Sequence, residues 1–224
     1  MKTLCILTAG KGSRLSDYSK LVNKALLPIN KKAAISYIID NFPKNTELII
    51  AIGHLAKQVK DFVKISYPKR KITFVKVKNF YGKKSGPGRS LLDCKKYLKK
   101  DFYFVSCDTI WKKRIENEEN NNWMGISERL FYNPKDYCNL LSVNKKIIDI
   151  KDKTYASKKY NHFIGLAYIK DYDLFWKGLI KMKKNAGEFQ VIDGFRNLVK
   201  FSKVNEKKLK WYDIGNFQNY NFTL

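Results

Sequence analysis

The residues Leu4-Cys-Ile-Leu-Thr-Ala-Gly-Lys-Gly-Ser-Arg-Leu15, with Asn23-Lys24-Ala-Leu-Leu-Pro28 after them, decide how this chain is read. A short apolar run, as expected of a buried strand, opens into Ala9-Gly10-Lys11-Gly12-Ser13-Arg14. Small residues at that exit let the backbone turn tightly and aim its N–H groups at an anion with no Cβ in the way. Arg14 adds a planar fork of donors matched to phosphate oxygens, and Lys24 a compact positive charge. Strand, glycine turn and two cations together read as a polyphosphate site. The same letters also describe an ordinary strand-exit turn, because short glycine motifs recur by chance.

Downstream, apolar spacing predicts a helix over Ala33–Phe42, stopped by Pro43, then a continuous buried strand over Glu47–Gly53. A helix over His54–Ser66 and an alternating strand over Lys71–Val77 follow. This order implies right-handed crossovers and a layered, mainly parallel α/β sheet. Tyr81-Gly-Lys-Lys-Ser-Gly86-Pro-Gly88-Arg89 is a second glycine-rich loop, leading into a helix over Ser90–Lys99 whose N-terminus is an anion or base contact point. Phe102–Cys107 reads as a buried strand with Asp108 at its carboxyl end, where ligands collect in open α/β sheets. That carboxylate is placed either to hold a metal or to cap the next turn.

Past the polar stretch Glu116–Asn122 the pattern changes to short alternating segments, Trp123–Ser127, Tyr137–Val143, Lys146–Lys151 and Phe163–Ile169, with a turn at Asn144-Lys145. These predict an antiparallel patch set against the main sheet, on the acceptor side of a cleft. Asp171 reads as the cap of a helix to about Lys183, Glu188–Val199 as another helix, Leu209–Ile214 as a last strand and Asn216–Phe222 as a terminal helix. The 224 residues suit one domain, with about 1–115 as a nucleotide half and about 116–224 as an acceptor half.

Composition narrows the function. No run approaches the 18 to 20 or so apolar residues that span a bilayer, and Met1-Lys2 enters a strand-like run with no secretory h-region, so a cytoplasmic protein without a membrane partner is expected. Cys5, Cys94, Cys107 and Cys138 are scattered, which argues against a thiolate metal site or a disulfide framework. The formal charge of +25 would attract any polyanion, yet only six of 45 cations are arginine (14, 70, 89, 114, 129 and 196). Base-reading proteins lean on arginine, so the lysine excess reads as compositional bias, and nucleic acid is not the expected partner.

In their order and spacing, the opening stretch, Asp108 and Trp211-Tyr-Asp-Ile-Gly-Asn-Phe-Gln-Asn-Tyr220 resemble the nucleotidyltransferase (pyrophosphorylase) family that makes nucleotide-activated sugars. Gly10, Gly12, Arg14 and Leu15 match its GxGxRL element, and Lys24-Ala-Leu-Leu-Pro-Ile29 the segment after it. Asn23 stands where the family has proline before the lysine; losing that fixed φ is expected to loosen the path to Lys24. Gly86-Pro-Gly-Arg-Ser90 resembles the base-side loop, Ser106-Cys-Asp108 the strand-end metal aspartate, Gly187-Glu-Phe-Gln-Val-Ile-Asp-Gly194 the acceptor segment, and Trp211-Tyr-Asp-Ile-Gly215 the element with the second metal aspartate. In the middle the family's Glu-Lys-Pro and Asn-Ala-Gly elements are replaced by Asp152-Lys153 and Phe163-Ile164-Gly165.

The resemblance implies a Rossmann-like, GT-A-like fold and an Mg²⁺-dependent transfer of a nucleoside monophosphate from an NTP to a phosphorylated small molecule, most simply a sugar 1-phosphate. It implies that Ala9, Gly10, Lys11, Gly12 and Ser13 hold the nucleotide phosphates with Arg14, that Lys24 neutralises the α-phosphate, and that Gly86 and Gly88 lie on the base side. Asp108 and Asp213 would hold Mg²⁺, and Lys153 (or Lys151) and Glu188 would meet the acceptor. Blander roles stand beside these: a turn carboxylate for Asp213, a solvated lysine for Lys24, a helix start for Glu188 and, for His54 at a strand end, a surface or packed histidine in place of one near the nucleotide. Trp111, Trp123 and Trp176 would either box a cationic acceptor or fill the core. A box would favour a CTP-dependent cytidylyltransferase acting on phosphocholine.

The charge reading is testable with duplex DNA titrated against salt. Binding is expected to be weak and to fade by near-physiological ionic strength, and sub-micromolar affinity that persists there would overturn it.

Overall fold

The opening apolar run forms the strand Thr3–Leu7, buried along its whole length in the computed structural model, which describes residues 2–15, 17–116, 120–127, 133–181 and 189–223. It pairs in parallel with Glu47–Ile52 on one side and Phe102–Ser106 on the other, and Ile72–Lys76 extends the parallel half. Alternate residues serve opposite layers. Leu4 and Ile6 join the cluster under the helices Ala34–Asp40 and Ala56–Ser66. Cys5 and Leu7 join the cluster under Pro87–Cys94, Tyr172–Ile180 and Ile192–Phe201. Each large apolar side chain so removed from water contributes about 1.5–3 kcal/mol, which is why this strand carries no charge.

Beyond Phe102–Ser106 the sheet changes sense. Asn161–Ile169 pairs antiparallel to it, and Asn122–Ser127 antiparallel to Asn161–Ile169. Val204–Lys208, a strand the sequence reading missed because Val-Asn-Glu-Lys-Lys is polar, runs parallel to Asn122–Ser127. Lys146–Asp152 and Cys138–Val143 complete the sheet as a hairpin through Asn144-Lys145, both of which take positive φ as a tight hairpin turn demands. The product is one mixed sheet of nine strands, not a mainly parallel sheet with a separate patch set against it. The expected patch is displaced for a physical reason. A buried strand edge must have its N–H and C=O groups paired, and the apolar Asn161–Ile169 supplies that pairing for Phe102–Ser106. Cys138–Val143 also pairs back with Asn161 and His162, closing the far end.

Helix boundaries shift modestly. The helix predicted from Ser90 begins at Pro87, a residue suited to the first helical position, and that predicted from Glu188 begins at Ile192. Asp171 makes no side-chain cap. Its carboxylate instead accepts from Asn122 Nδ2 at 2.7 Å and from the Ser202 hydroxyl, tying the helix start to the sheet. All four cysteines are free thiols; burial, with the Asp108 charge beside it, pushes Cys107 up to about 12 and so disfavours its thiolate. No described helix is long and apolar enough to cross a membrane.

At the sheet's lower edge Lys2 and Tyr168 both donate to Asp101 Oδ2. Burial pushes the Asp101 carboxyl up, but the Lys2 and Tyr168 hydrogen bonds and the Lys2 charge outweigh it, leaving the carboxyl below its ordinary value. A folded-state value below that of the unfolded chain stabilises the fold above the unfolded value near ~3.9 and loses that contribution as pH falls through the folded one. Asp101→Asn is therefore expected to melt below the parent at pH 7 and to converge with it in acid; a melting difference that does not change with pH would refute this.

Candidate functional site

The phosphate-loop stretch leaves the strand Thr3–Leu7 at its carboxyl end. Gly12 takes φ +69°, and Leu15, fully buried, anchors the 3-10 turn Ser13–Leu15 through its N–H to Gly12 O at 2.9 Å. Anchoring on Leu15 leaves Arg14 exposed on the wall of a cleft of about 850 Å³. Gly10, Lys11, Gly12 and Ser13 line the same wall, whereas Ala9 is buried beneath it and accepts from His54 N at 2.9 Å.

The path from this loop to Lys24 is not loosened by the missing proline. Asn23 holds φ −62°, the value proline would impose, and is fully buried. Its Nδ2 donates to Thr8 O at 3.1 Å and His54 O at 2.6 Å. Its Oδ1 accepts from Ala25 N at 2.9 Å, and its own N–H, which proline would lack, donates to Gln58 Oε1 at 3.0 Å. Hydrogen bonds thus do what a ring would have done. His54 belongs to the same brace, its Nε2 lying 2.6 Å from Ser19 O, so the packed reading of this histidine holds.

Asp108 and Asp213 are brought together by a two-stranded ladder. Thr109–Trp111 pairs antiparallel with Trp211–Asp213, with Asp213 opposite Thr109, and Ile214 N donates to Asp108 O at 3.2 Å. Lys24 Nζ lies 2.5 Å from Asp108 Oδ2 and 3.3 Å from Gly215 O. Burial pushes the Asp108 carboxyl up, and the Lys24 charge and hydrogen bond, with Arg14 behind them, override that and hold it below its ordinary value. Asp213, 6% exposed, moves the other way. Burial and the Asp108 charge raise it, against opposing contributions from the Tyr137 hydroxyl, Lys24 and the Gly215 N–H.

The two carboxylates converge on one point. A Cβ placed on Gly215 would lie 2.7 Å from Asp213 Oδ1 and 3.4 Å from Asp108 Oδ2, so only glycine lets the backbone come this close to both carboxylates. Hard oxygens in a pair, with Gly215 O nearby, suit Mg²⁺, which keeps few protein ligands and takes the rest from phosphate and water. Among the described residues no cluster of three or more His, Cys, Asp or Glu stands ready to hold a metal.

On the other walls, Gly86 begins the helix Pro87–Cys94 and lines the cleft beside Phe80 and Tyr81. Gly88 does not line it. A Cβ there would strike the Phe189 carbonyl at 2.7 Å, and Gly88 N donates to Phe189 O at 2.7 Å, so this glycine serves close backbone packing between the base-side loop and the acceptor segment. Lys153 lines the cleft in a left-handed conformation (φ 49°), whereas Lys151 sits over the Tyr160 ring, 4.8 Å from its centroid. Glu188 lies outside the described residues. Trp111, Trp123 and Trp176 are buried in the core, Trp176 on the opposite face of the sheet from the other two, so they form no box.

Several residues escaped the sequence reading. Lys135, Asp136, Gln190 and Gly215 line the cleft, and Tyr137 and Asn219 hold Asp213. Gln190 and Asn219 fall inside quoted motifs, which was their signal. Lys135 and Tyr137 carried none, being one lysine among many and the first residue of a predicted strand.

An α/β sheet with a phosphate-type loop, a lysine on a strand-end aspartate and a second carboxylate beside it defines a nucleotide-handling transferase domain. The family model described as MobA-like NTP transferase domain matches residues 4–115, half of the chain, and the chain belongs to that family. It is 27% identical over 218 residues to a protein named bifunctional protein GlmU from Methanococcus maripaludis, covering 94% of this chain and 50% of that one, so it spans about half the length of the curated relatives it matches. The fold is shared with solved structures. A putative glucose-1-phosphate thymidylyltransferase from Bacillus anthracis superposes with TM-score 0.81 at 18% identity, covering 100% of this chain and 94% of that one. A UDP-glucose pyrophosphorylase complexed with UDP-glucose gives TM-score 0.81 at 18% identity, with coverages of 100% and 97%.

Asn23→Ala strips three buried backbone groups of their partner. A buried group left unsatisfied costs about 1–3 kcal/mol, and partial relaxation brings the expected loss to about 2–4 kcal/mol in urea denaturation. A loss below about 0.5 kcal/mol, typical of a surface position, would show that the brace is unimportant.

Proposed function

We propose that this domain transfers a nucleoside monophosphate from an NTP to a sugar 1-phosphate, releasing pyrophosphate and giving a nucleotide-activated sugar. The observation that carries the reading is the convergence of Arg14, Lys24 and Asp108 on one cleft, with Asp213 beside them. Family membership and the names of the relatives agree with it.

In this reaction an acceptor phosphate oxygen attacks the α-phosphorus in line, and the bond from that phosphorus to the bridging oxygen of the β-phosphate breaks. The acceptor is already an anion, so no general base is needed; the protein contributes placement and charge neutralisation. Arg14 and the Gly10–Ser13 backbone hold the β- and γ-phosphates that depart together. Lys24, poised between Asp108 and the cleft, moves its charge onto the α-phosphate as negative charge builds there. Lys153 receives the acceptor phosphate, Lys135 stands on the same cleft, and Gln190 offers an amide to a hydroxylated acceptor. Asp108 and Asp213 would hold Mg²⁺, which when bound would neutralise phosphate oxygens and make pyrophosphate a better leaving group.

Pyrophosphate release from UTP, dTTP, CTP, GTP and ATP, each paired with hexose 1-phosphates and with phosphocholine, tests the reading directly. One NTP with a hexose 1-phosphate is expected to turn over in the presence of Mg²⁺, and to raise the melting temperature on binding. Lys24→Ala is expected to cost about 10²–10³ in kcat. Turnover of CTP with phosphocholine alone would replace the acceptor class, and no turnover with any pair, or an Asp108→Asn variant as active as the parent, would end the reading.

A further inference from the structure

Asp213 is gripped from behind. Tyr137 Oη donates to its Oδ2 at 2.7 Å, Asn219 Nδ2 donates to the same oxygen at 2.6 Å, and Gly215 N donates to Oδ1 at 2.7 Å. A carboxylate oxygen has two acceptor sites, so two donors fill Oδ2 while one donor leaves Oδ1 with a single site open. That oxygen is the one on the side of Gly215, where a Cβ would lie 2.7 Å from it and 3.4 Å from Asp108 Oδ2.

Tyr137, Asn219 and Asp213 all stand back from the cleft that Asp108 and Gly215 line, and Asn219 Nδ2 also donates to Tyr137 Oη at 3.3 Å, so the two side chains reach the cleft through the Asp213 carboxylate they share. Tyr137 is itself fixed. Its ring lies 4.9 Å from the His162 ring and meets Trp211 edge-on at 5.8 Å, and its carbonyl accepts from Asn139 Nδ2 at 2.8 Å and from Lys153 N at 3.0 Å. Asn219 is seated by its own N–H on Asn216 Oδ1 at 2.8 Å, within the terminal helix region Phe217–Thr223.

We infer that Tyr137 and Asn219 are positioning residues that saturate Asp213 Oδ2 and so make this aspartate a one-oxygen ligand, presenting only Oδ1 to the divalent cation. The inference rests on Asp108 and Asp213 being the metal carboxylates. A tyrosine present only for packing would give the opposite expectation, because phenylalanine preserves both ring contacts.

Mn²⁺ alone, titrated into the whole chain and followed by loss of the free-ion EPR signal, tests this without reference to turnover. Tyr137→Phe and Asn219→Ala are each expected to weaken Mn²⁺ binding about tenfold, the size seen when a ligand's outer partner is removed. The double variant is expected to fall short of the product of the two, since both act on one oxygen. Asp213→Asn is the control. Where it weakens Mn²⁺ binding but Tyr137→Phe, folded by its melting curve, binds as tightly as the parent or more tightly, the positioning role is overturned alone. Where Asp213→Asn binds Mn²⁺ like the parent, the metal assignment itself fails and takes the inference with it.

Discussion

Asp213 ends one strand of a short ladder and Asp108 directly precedes the other, so a buried carboxylate and a half-buried one are held close together where screening by water is reduced. Such a pair is tolerable only if cations or donors are built around it, and the rest of the site follows from that constraint. Lys24 answers for Asp108, with Arg14 behind it; hydrogen bonds from Tyr137, Asn219 and Gly215 answer for Asp213. Burial pushes both carboxyls up; at Asp108 the Lys24 charge in contact overrides it and holds the group below its ordinary value, whereas at Asp213 the Asp108 charge adds to burial and the neutral donors do not overcome it.

Holding Lys24 at Asp108 in turn requires a rigid base for a long side chain. That base is the turn Lys24–Leu26, fixed on one side by Asn23 and on the other by the C-terminal helix. Tyr220 Oη donates to Pro28 O at 2.7 Å, Tyr18 stacks on Phe217 at 5.8 Å, and Leu15, Leu27 and Ile214 share one small core with Tyr220. The two ends of the chain, the phosphate loop and the Trp211–Gly215 segment, are thereby one mechanical unit. A loop rich in glycine is kept in shape by apolar residues that point away from the ligand.

The parallel half of the sheet was legible because burial on both faces writes itself as unbroken apolar runs, as in Leu48–Ile52 and Phe102–Val105. The remaining strands were legible singly but not in assembly. Nothing in Cys138–Val143 or Lys146–Asp152 says whether they extend the main sheet or lie against it, because that is decided by which strand edge is left open. Arg14, Lys24, Asp108 and Asp213 stood out through the order of the family's motifs, and the structure brings Arg14, Lys24 and Asp108 to one cleft with Asp213 beside them. Asn23 was misread through its residue class: the loss of a ring was visible, while the four hydrogen bonds replacing it depend on Thr8, Ala25, His54 and Gln58 meeting in space. Gly88 shows a second reason for a glycine, since one that packs closely on the Phe189 backbone looks in sequence like one that approaches a ligand.

Tyr137 shows how two parts of the cleft are tied together. Its hydroxyl fixes the carboxylate of Asp213, and its carbonyl fixes the backbone of Lys153, held left-handed at the cleft wall. In-line transfer needs the nucleophile's phosphate and the α-phosphate oriented within a fraction of an ångström, and two supports that moved independently would spoil that alignment. One residue bracing both removes the freedom at its source. The same cleft wall was legible only in part. Lys153 and the segment that holds Gln190 stood out by their place in the family pattern, whereas Lys135 is one lysine among many and gains meaning only from the backbone that sets it on the same cleft.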